Sequence, residues 1–152
     1  MQIETLKDVL HWSRKCHVQL KDCLQHCGDT AENERVRLLL HYLADHEEKL
    51  AKALVAFEEQ ASLGALSTWC IEYIEKQPAL LDEVCATPMA SLSPEEIMQS
   101  IVQQHENILT LYRHLESRLP RGRAQQLMSD LAEMEHHESM QMVKNQQLLE
   151  DI

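Results

Sequence analysis

Glycine and proline are scarce in this chain, and where they fall limits the fold more than any other feature. There are three glycines and four prolines in 152 residues. Gly28, Gly64 and Gly122, with Pro78, Pro88, Pro94 and Pro120, all stand between stretches of regular hydrophobic spacing, and none interrupts one. Proline inside a helix removes a hydrogen bond and clashes with the preceding turn, and glycine weakens a helix. A chain punctuated only at segment ends keeps its helices long. So few glycines leave little material for hairpin turns or a phosphate-cradling loop. An aromatic content of 4% is poor for a sheet. The reading is all-α.

Hydrophobic periodicity supplies the helices. Leu6, Val9, Leu10, Ser13, Cys16, His17, Leu20, Leu24 and Cys27 recur at spacings of three and four, predicting a helix over about 4–27 with Gly28 just past its end. A second helix over about 31–61 carries Val36, Leu39, Leu43, His46, Leu50, Leu54 and Phe57, with Asp29 or Thr30 as its cap. Ser93-Pro94-Glu95-Glu96 is a capping box with proline at the first helical position, and it opens a helix over 94–118. A fourth helix covers 121–149. Its apolar stripe has two readings, one turning Glu135 and Glu138 inward and the other Met134 with His137 or Glu138. Short loops make each pair an antiparallel hairpin. Residues 62–93 are too long for a simple turn, and short helices are expected within them at 66–76 and 79–85. Residues 1–152 therefore read as one four-helix bundle with one long crossover containing short helices.

Lysine and arginine number 14 against 25 acidic residues, a formal charge of -11. That balance argues against nucleic acid or an acidic membrane surface as partner and allows a cation. No run approaches the roughly 18 apolar residues of a membrane span, and the first residues lack an apolar signal core. Five cysteines, an odd number with three in the first helix, do not form a secreted disulfide framework, so a reducing cytoplasm is expected. Long amphipathic helices of this kind lead us to expect a homodimer. Ser13 and Ser139 lie near histidines, but nothing suggests a nucleophile turn or an oxyanion hole.

The nine histidines carry the chemistry. Each long helix has an ionisable residue near mid-stripe: His17, His46, His105, and the cluster Glu133-Met134-Glu135-His136-His137-Glu138. Folding the second hairpin about residue 120 sets His105 opposite Glu135. Folding the first about residue 29 sets His17 opposite residue 41, with His46 a turn or so further on. Imidazole and carboxylate together suit a transition metal, with iron first and zinc or manganese as alternatives, as one ion or two. Glu135 and Glu138 share one helix face, as do Glu133 and His136. A buried carboxylate without a partner is costly, so inward acids imply a metal, a histidine or water beside them.

The single crossover, the tract DTAENERVRLLLHYLADHEEKLAKAL and EMEHHE in the last helix resemble the ferritin-like superfamily, in particular small rubrerythrin-like bundles. In that family two carboxylate-bearing helices and two Glu-x-x-His helices bind a pair of iron or manganese ions. The resemblance implies a metal-binding protein, an oxidoreductase or a metal carrier. Glu106 would be the lone carboxylate of the third helix, and Glu133 with His136 the one complete motif. Glu47 heads the other motif position, but residue 50 is leucine. The expected metal set is thus His17, His46, His105, Glu106, Glu135, His136 and Glu138. The alternative is a non-catalytic interaction or scaffold bundle whose metal site is degenerate or absent.

Overall fold

The computed structural model of the chain describes residues 3–70 and 89–150. Four long helices dominate them: α1 (Leu6–Thr30), α2 (Glu34–Gln60), α4 (Pro94–Arg118) and α5 (Arg123–Glu150). A four-residue helix, α3 (Leu63–Leu66), and a 3-10 turn at Met89–Ser91 stand between the two hairpins. Leucine and isoleucine fill the centre. Leu10, Leu20, Leu43, Leu54, Ile101 and Leu131 are all fully or almost fully buried. Each such side chain contributes on the order of 2 kcal/mol through burial. Beyond the hairpin contacts, α5 lies against α2 and α3, and α2 also touches α4.

Helix starts follow local chemistry. Ser93 accepts a hydrogen bond from the Glu96 backbone, and the Glu96 carboxylate accepts one from the Ser93 backbone, each at 3.2 Å. Two orphan donors of the first turn are thereby satisfied, as the sequence predicts. At α1 the Asp8 carboxylate accepts from the backbone N–H of Glu4 and Thr5. Those two bonds hold its carboxyl below the usual carboxylate range.

The first turn departs from expectation. Gly28 does not end α1. The helix runs on to Thr30, and Asn33, not Asp29 or Thr30, caps α2 by accepting from Val36 N–H at 3.1 Å. What calls for glycine is close approach. A Cβ at Gly28 would lie 2.3 Å from the His41 ring, which crosses that face of α1 and meets Asp29 at 3.0 Å. The hairpin therefore folds about residue 32, three further on than Gly28 suggests.

The crossover also differs at its start. Only Leu66 of the helix expected at 66–76 is helical among the described residues, and it closes α3. Beyond it the chain extends and pairs with the N-terminus. Leu6 N–H donates to Thr68, and Cys70 N–H donates to Glu4 at 2.8 Å. This isolated bridge between Thr5 and Trp69 anchors the crossover to the foot of α1. The rest of that expected helix, and the one at 79–85, lie outside the described residues. No described helix is long and apolar enough to cross a membrane.

Candidate metal centre

The mid-stripe residues of all four long helices meet at the centre of the bundle. His17 from α1, Glu47 from α2 and Glu135 from α5 are 0% exposed, and His105 from α4 is 1% exposed. His46, beside Glu47, is 7% exposed. The register comes from the turns: with the first hairpin folding about residue 32, His17 stands opposite Glu47. With the second folding about 120, His105 stands opposite Glu135.

Glu47 is the hub. Its Oε2 lies 2.5 Å from His17 Nδ1, and its Oε1 is hydrogen-bonded to His105 Nε2. His17 Nε2 lies 3.1 Å from Glu135 Oε1, but the pair is not aligned as a hydrogen bond. The rings of His17 and His105 meet edge to face with centroids 5.6 Å apart. His46 stacks obliquely on His105 at 6.2 Å. One turn along, Tyr112 donates to Ser13 Oγ at 2.5 Å, and Ser13 donates to the Leu10 carbonyl. These bonds seal the centre on the α1–α4 side.

Electrostatics follow from the geometry. Burial alone would drive the His17 imidazole down, but Glu135 and Glu47 outweigh it and push it up to about 10. Burial would raise Glu47, and His105 and His17 together hold it well below the usual carboxylate range instead. His105 is raised in the same way, burial being outweighed by Glu47. His46 goes down, chiefly through burial and with His105 adding to it. Burial and the Glu135 charge raise Tyr112 well above its ordinary value and push the Cys16 thiol up to about 12.

The expected residues divide clearly. His17, His46, His105 and Glu135 come together. Glu138 is half-buried, one turn beyond Glu135 and close enough to His46 to act on it electrostatically. Glu106 and His136 are exposed. Each follows a buried residue by one position, and one helical step rotates a side chain by about 100°. α5 adopts the stripe of Met128, Leu131, Glu135 and Met142, so His137 faces outward as well. Glu47 is the residue the expected metal set omits. Its signal was present: it stands four residues after Leu43 and three before Leu50, on the same apolar stripe.

A metal fits this donor set. His17 Nε2, His46 Nε2, His105 Nδ1 and both Glu135 oxygens are buried without a hydrogen-bond partner. One ligating atom from each of His17, His105 and Glu135 lies within 4.8 Å of the other two. Imidazole nitrogen with carboxylate oxygen is the donor chemistry of first-row transition metals.

Two hairpins joined by one long connection, with polar side chains from all four helices meeting in the core, define a ferritin-like bundle. The fold is shared with the crystal structure of a protein from Thermotoga maritima described as a ferritin-like diiron-carboxylate protein, with a TM-score of 0.60 over 97% of each chain. Sequence identity to it is 15%, so the likeness is one of fold. No protein-family model and no curated protein matches the chain. The ferritin-like fold and the buried histidine–glutamate cluster together fit metal binding.

Proposed function

We propose that this protein is a transition-metal protein of the ferritin-like type, with iron the first candidate and manganese or zinc the alternatives. The observation that carries this reading is the set of buried donor atoms without a hydrogen bond at the bundle centre. Native interiors rarely leave buried polar atoms unpaired, and five of them occur in this one cluster. His17, His105 and Glu135 would hold the ion, with His46, Glu47 and Glu138 beside them. The bound metal would supply Lewis acidity and, for iron or manganese, one-electron redox chemistry. The chain's own residues fix donor directions through Glu47 and keep bulk water out through the leucine and isoleucine layers on either side. An oxidoreductase or a metal carrier is the role this arrangement supports.

Metal content tests the reading. Protein purified without added metal, then loaded anaerobically with Fe(II) or Zn(II), should retain metal through gel filtration. Less than about 0.1 equivalent after loading would refute it, because a formed site binds its ion with folding-scale free energy. A second reading, a non-catalytic scaffold, draws on a different observation. Glu47 already engages two imidazoles, so the centre can be held by ion pairs alone. That reading requires the metal-free protein to be the working form.

We further propose a cytoplasmic homodimer. The thiols of Cys16, Cys27 and Cys70, which form no disulfide among the described residues, support the reducing compartment. An apolar groove of about 730 Å³ lined by Val36, Leu38, Leu39 and Tyr42, with Leu38 62% exposed, supports self-association. A single 17.6 kDa species in light scattering across micromolar concentrations would refute the dimer.

A further inference from the structure

We propose that the centre takes a single divalent ion, on His17, His105 and Glu135, and that Glu47 is the carboxylate that orients both imidazoles, not a ligand. This rests on the metal-site reading above and narrows it.

The first ground is the donor inventory. Ferritin-like dinuclear centres take one glutamate from each of two helices and a Glu-x-x-His motif from each of the other two, which makes four carboxylates and two imidazoles. In this chain α1 and α4 carry His17 and His105 at the single positions. The motif positions read Glu47-x-x-Leu50 on α2 and Glu135-x-x-Glu138 on α5. Both motif histidines are missing, and both lone glutamates are replaced by histidine. The fully buried carboxylates among the described residues are Glu47 and Glu135. Two divalent ions bring four positive charges against those two negative ones, and half-buried Glu138 would raise the count only to three. Uncompensated charge in a site this dry is strongly unfavourable. One divalent ion is balanced by the two carboxylates present.

The second ground is connectivity. Each oxygen of Glu47 holds one imidazole nitrogen, Nδ1 of His17 and Nε2 of His105. His17 Nε2, His105 Nδ1 and both oxygens of Glu135 make no hydrogen bond, with His17 Nε2 and Glu135 Oε1 facing each other at 3.1 Å. An imidazole held by a carboxylate through one nitrogen, with the other available, is the usual state of a metal-bound histidine. Two imidazoles and one carboxylate leave coordination positions open, the donor set of mononuclear non-haem Fe(II) and catalytic zinc sites. His46 stacks beside His105 and, among the described residues, belongs to no group of three donors within reach of one ion.

Stoichiometry of the full-length chain tests this directly. The protein is stripped with chelator, titrated anaerobically with Co(II) and separately with Fe(II), and its bound metal counted after gel filtration. One equivalent, with Co(II) ligand-field bands saturating at the same ratio, is the expected result. Two equivalents would overturn the single-ion assignment while leaving the metal-site reading intact, whereas no retained metal would overturn both. Glu47→Gln should still take one equivalent at saturation, with affinity weakened about 10–100-fold. Loss of all binding in a Glu47→Gln protein with unchanged far-UV circular dichroism would make Glu47 a ligand. Glu135→Gln should abolish binding, and retained affinity there would remove Glu135 from the set. His46→Gln should leave the stoichiometry at one, and a loss would place His46 on the ion.

Discussion

Replacing Glu47 by glutamine in the metal-free protein probes the centre most sharply. The carboxylate is wholly buried and serves two imidazoles, one through each oxygen. Glutamine keeps the shape but removes the charge, so His17 and His105 keep only Glu135 as a buried counter-charge. Removing one partner of a buried ion pair costs about 3–5 kcal/mol, because the remaining charge stays desolvated. For a chain of this length each kcal/mol moves the midpoint by about 2–4 °C, so Tm should fall by roughly 6–20 °C. Scanning calorimetry at pH 7 with chelator present reads this out. The companion variant replaces the whole network by apolar groups, His17→Leu with Glu47→Met, His105→Leu and Glu135→Met, so that no buried carboxylate is left without a partner. It should match the parent or exceed it by up to about 4 kcal/mol, since a well-packed apolar core avoids the desolvation penalty altogether. A single variant within about 1 kcal/mol of the parent would refute the reasoning. So would a fourfold variant as damaged as the single one. Either would mean that the centre is not a closed ion network.

The same network sets a pH profile. The depressed Glu47 contributes stability that is present above its ordinary value of 4.5 and is lost as pH falls. His17 contributes stability that is present below its ordinary 6.5 and is lost as pH rises through about 10. Metal-free protein should therefore be most stable between about pH 5 and 6.5 in urea titrations, and Glu47→Gln should flatten both flanks. Tyr112→Phe removes the donor to Ser13 and should cost about 1 kcal/mol by chemical denaturation. Ser93→Ala deletes the α4 cap and should cost about 1 kcal/mol, visible as faster amide exchange in the first turn of α4. Thiol labelling of the native protein should modify half-buried Cys27 before Cys16, whose thiol is buried and pushed up to about 12. Peptide mapping that finds Cys16 modified first would contradict the buried environment of that face.

The sequence made some features legible because their causes are local. The Ser93–Glu96 box and Pro94 mark the start of α4 without reference to the rest of the chain. The tight turn at Pro120–Gly122 fixes the second hairpin, and the pairing of His105 with Glu135 follows from it. The first hairpin departs from its sequence pattern because the role of Gly28 is tertiary. Its missing side chain makes room for His41, thirteen residues away, so it sits inside the helix and does not end it. Ending α1 at Gly28 would shift the fold point by three residues and set His17 opposite residue 41 in place of Glu47. Family likeness at motif positions points to Glu106 and His136. The rotation between neighbouring helix positions turns them to solvent, because His105 and Glu135 occupy the inward places. His46 and Glu47 escape that exclusion: α2 has neighbours in α1, α4 and α5, so two adjacent positions are covered.

The fold point of each hairpin has a consequence for how this chain tolerates change in length. His17 and Glu47 are thirty residues apart, and so are His105 and Glu135. One residue gained or lost between the partners of either pair, unless the turn absorbs it, rotates a donor by about 100° and slides it by about 1.5 Å. A deletion inside a hairpin is therefore equivalent to removing a donor, although every donor remains in the sequence. Residues added past Cys70, between the hairpins, rotate none of them. Length variation compatible with the centre is thus confined to the ends of the chain and the crossover, and the two thirty-residue intervals act as fixed rulers.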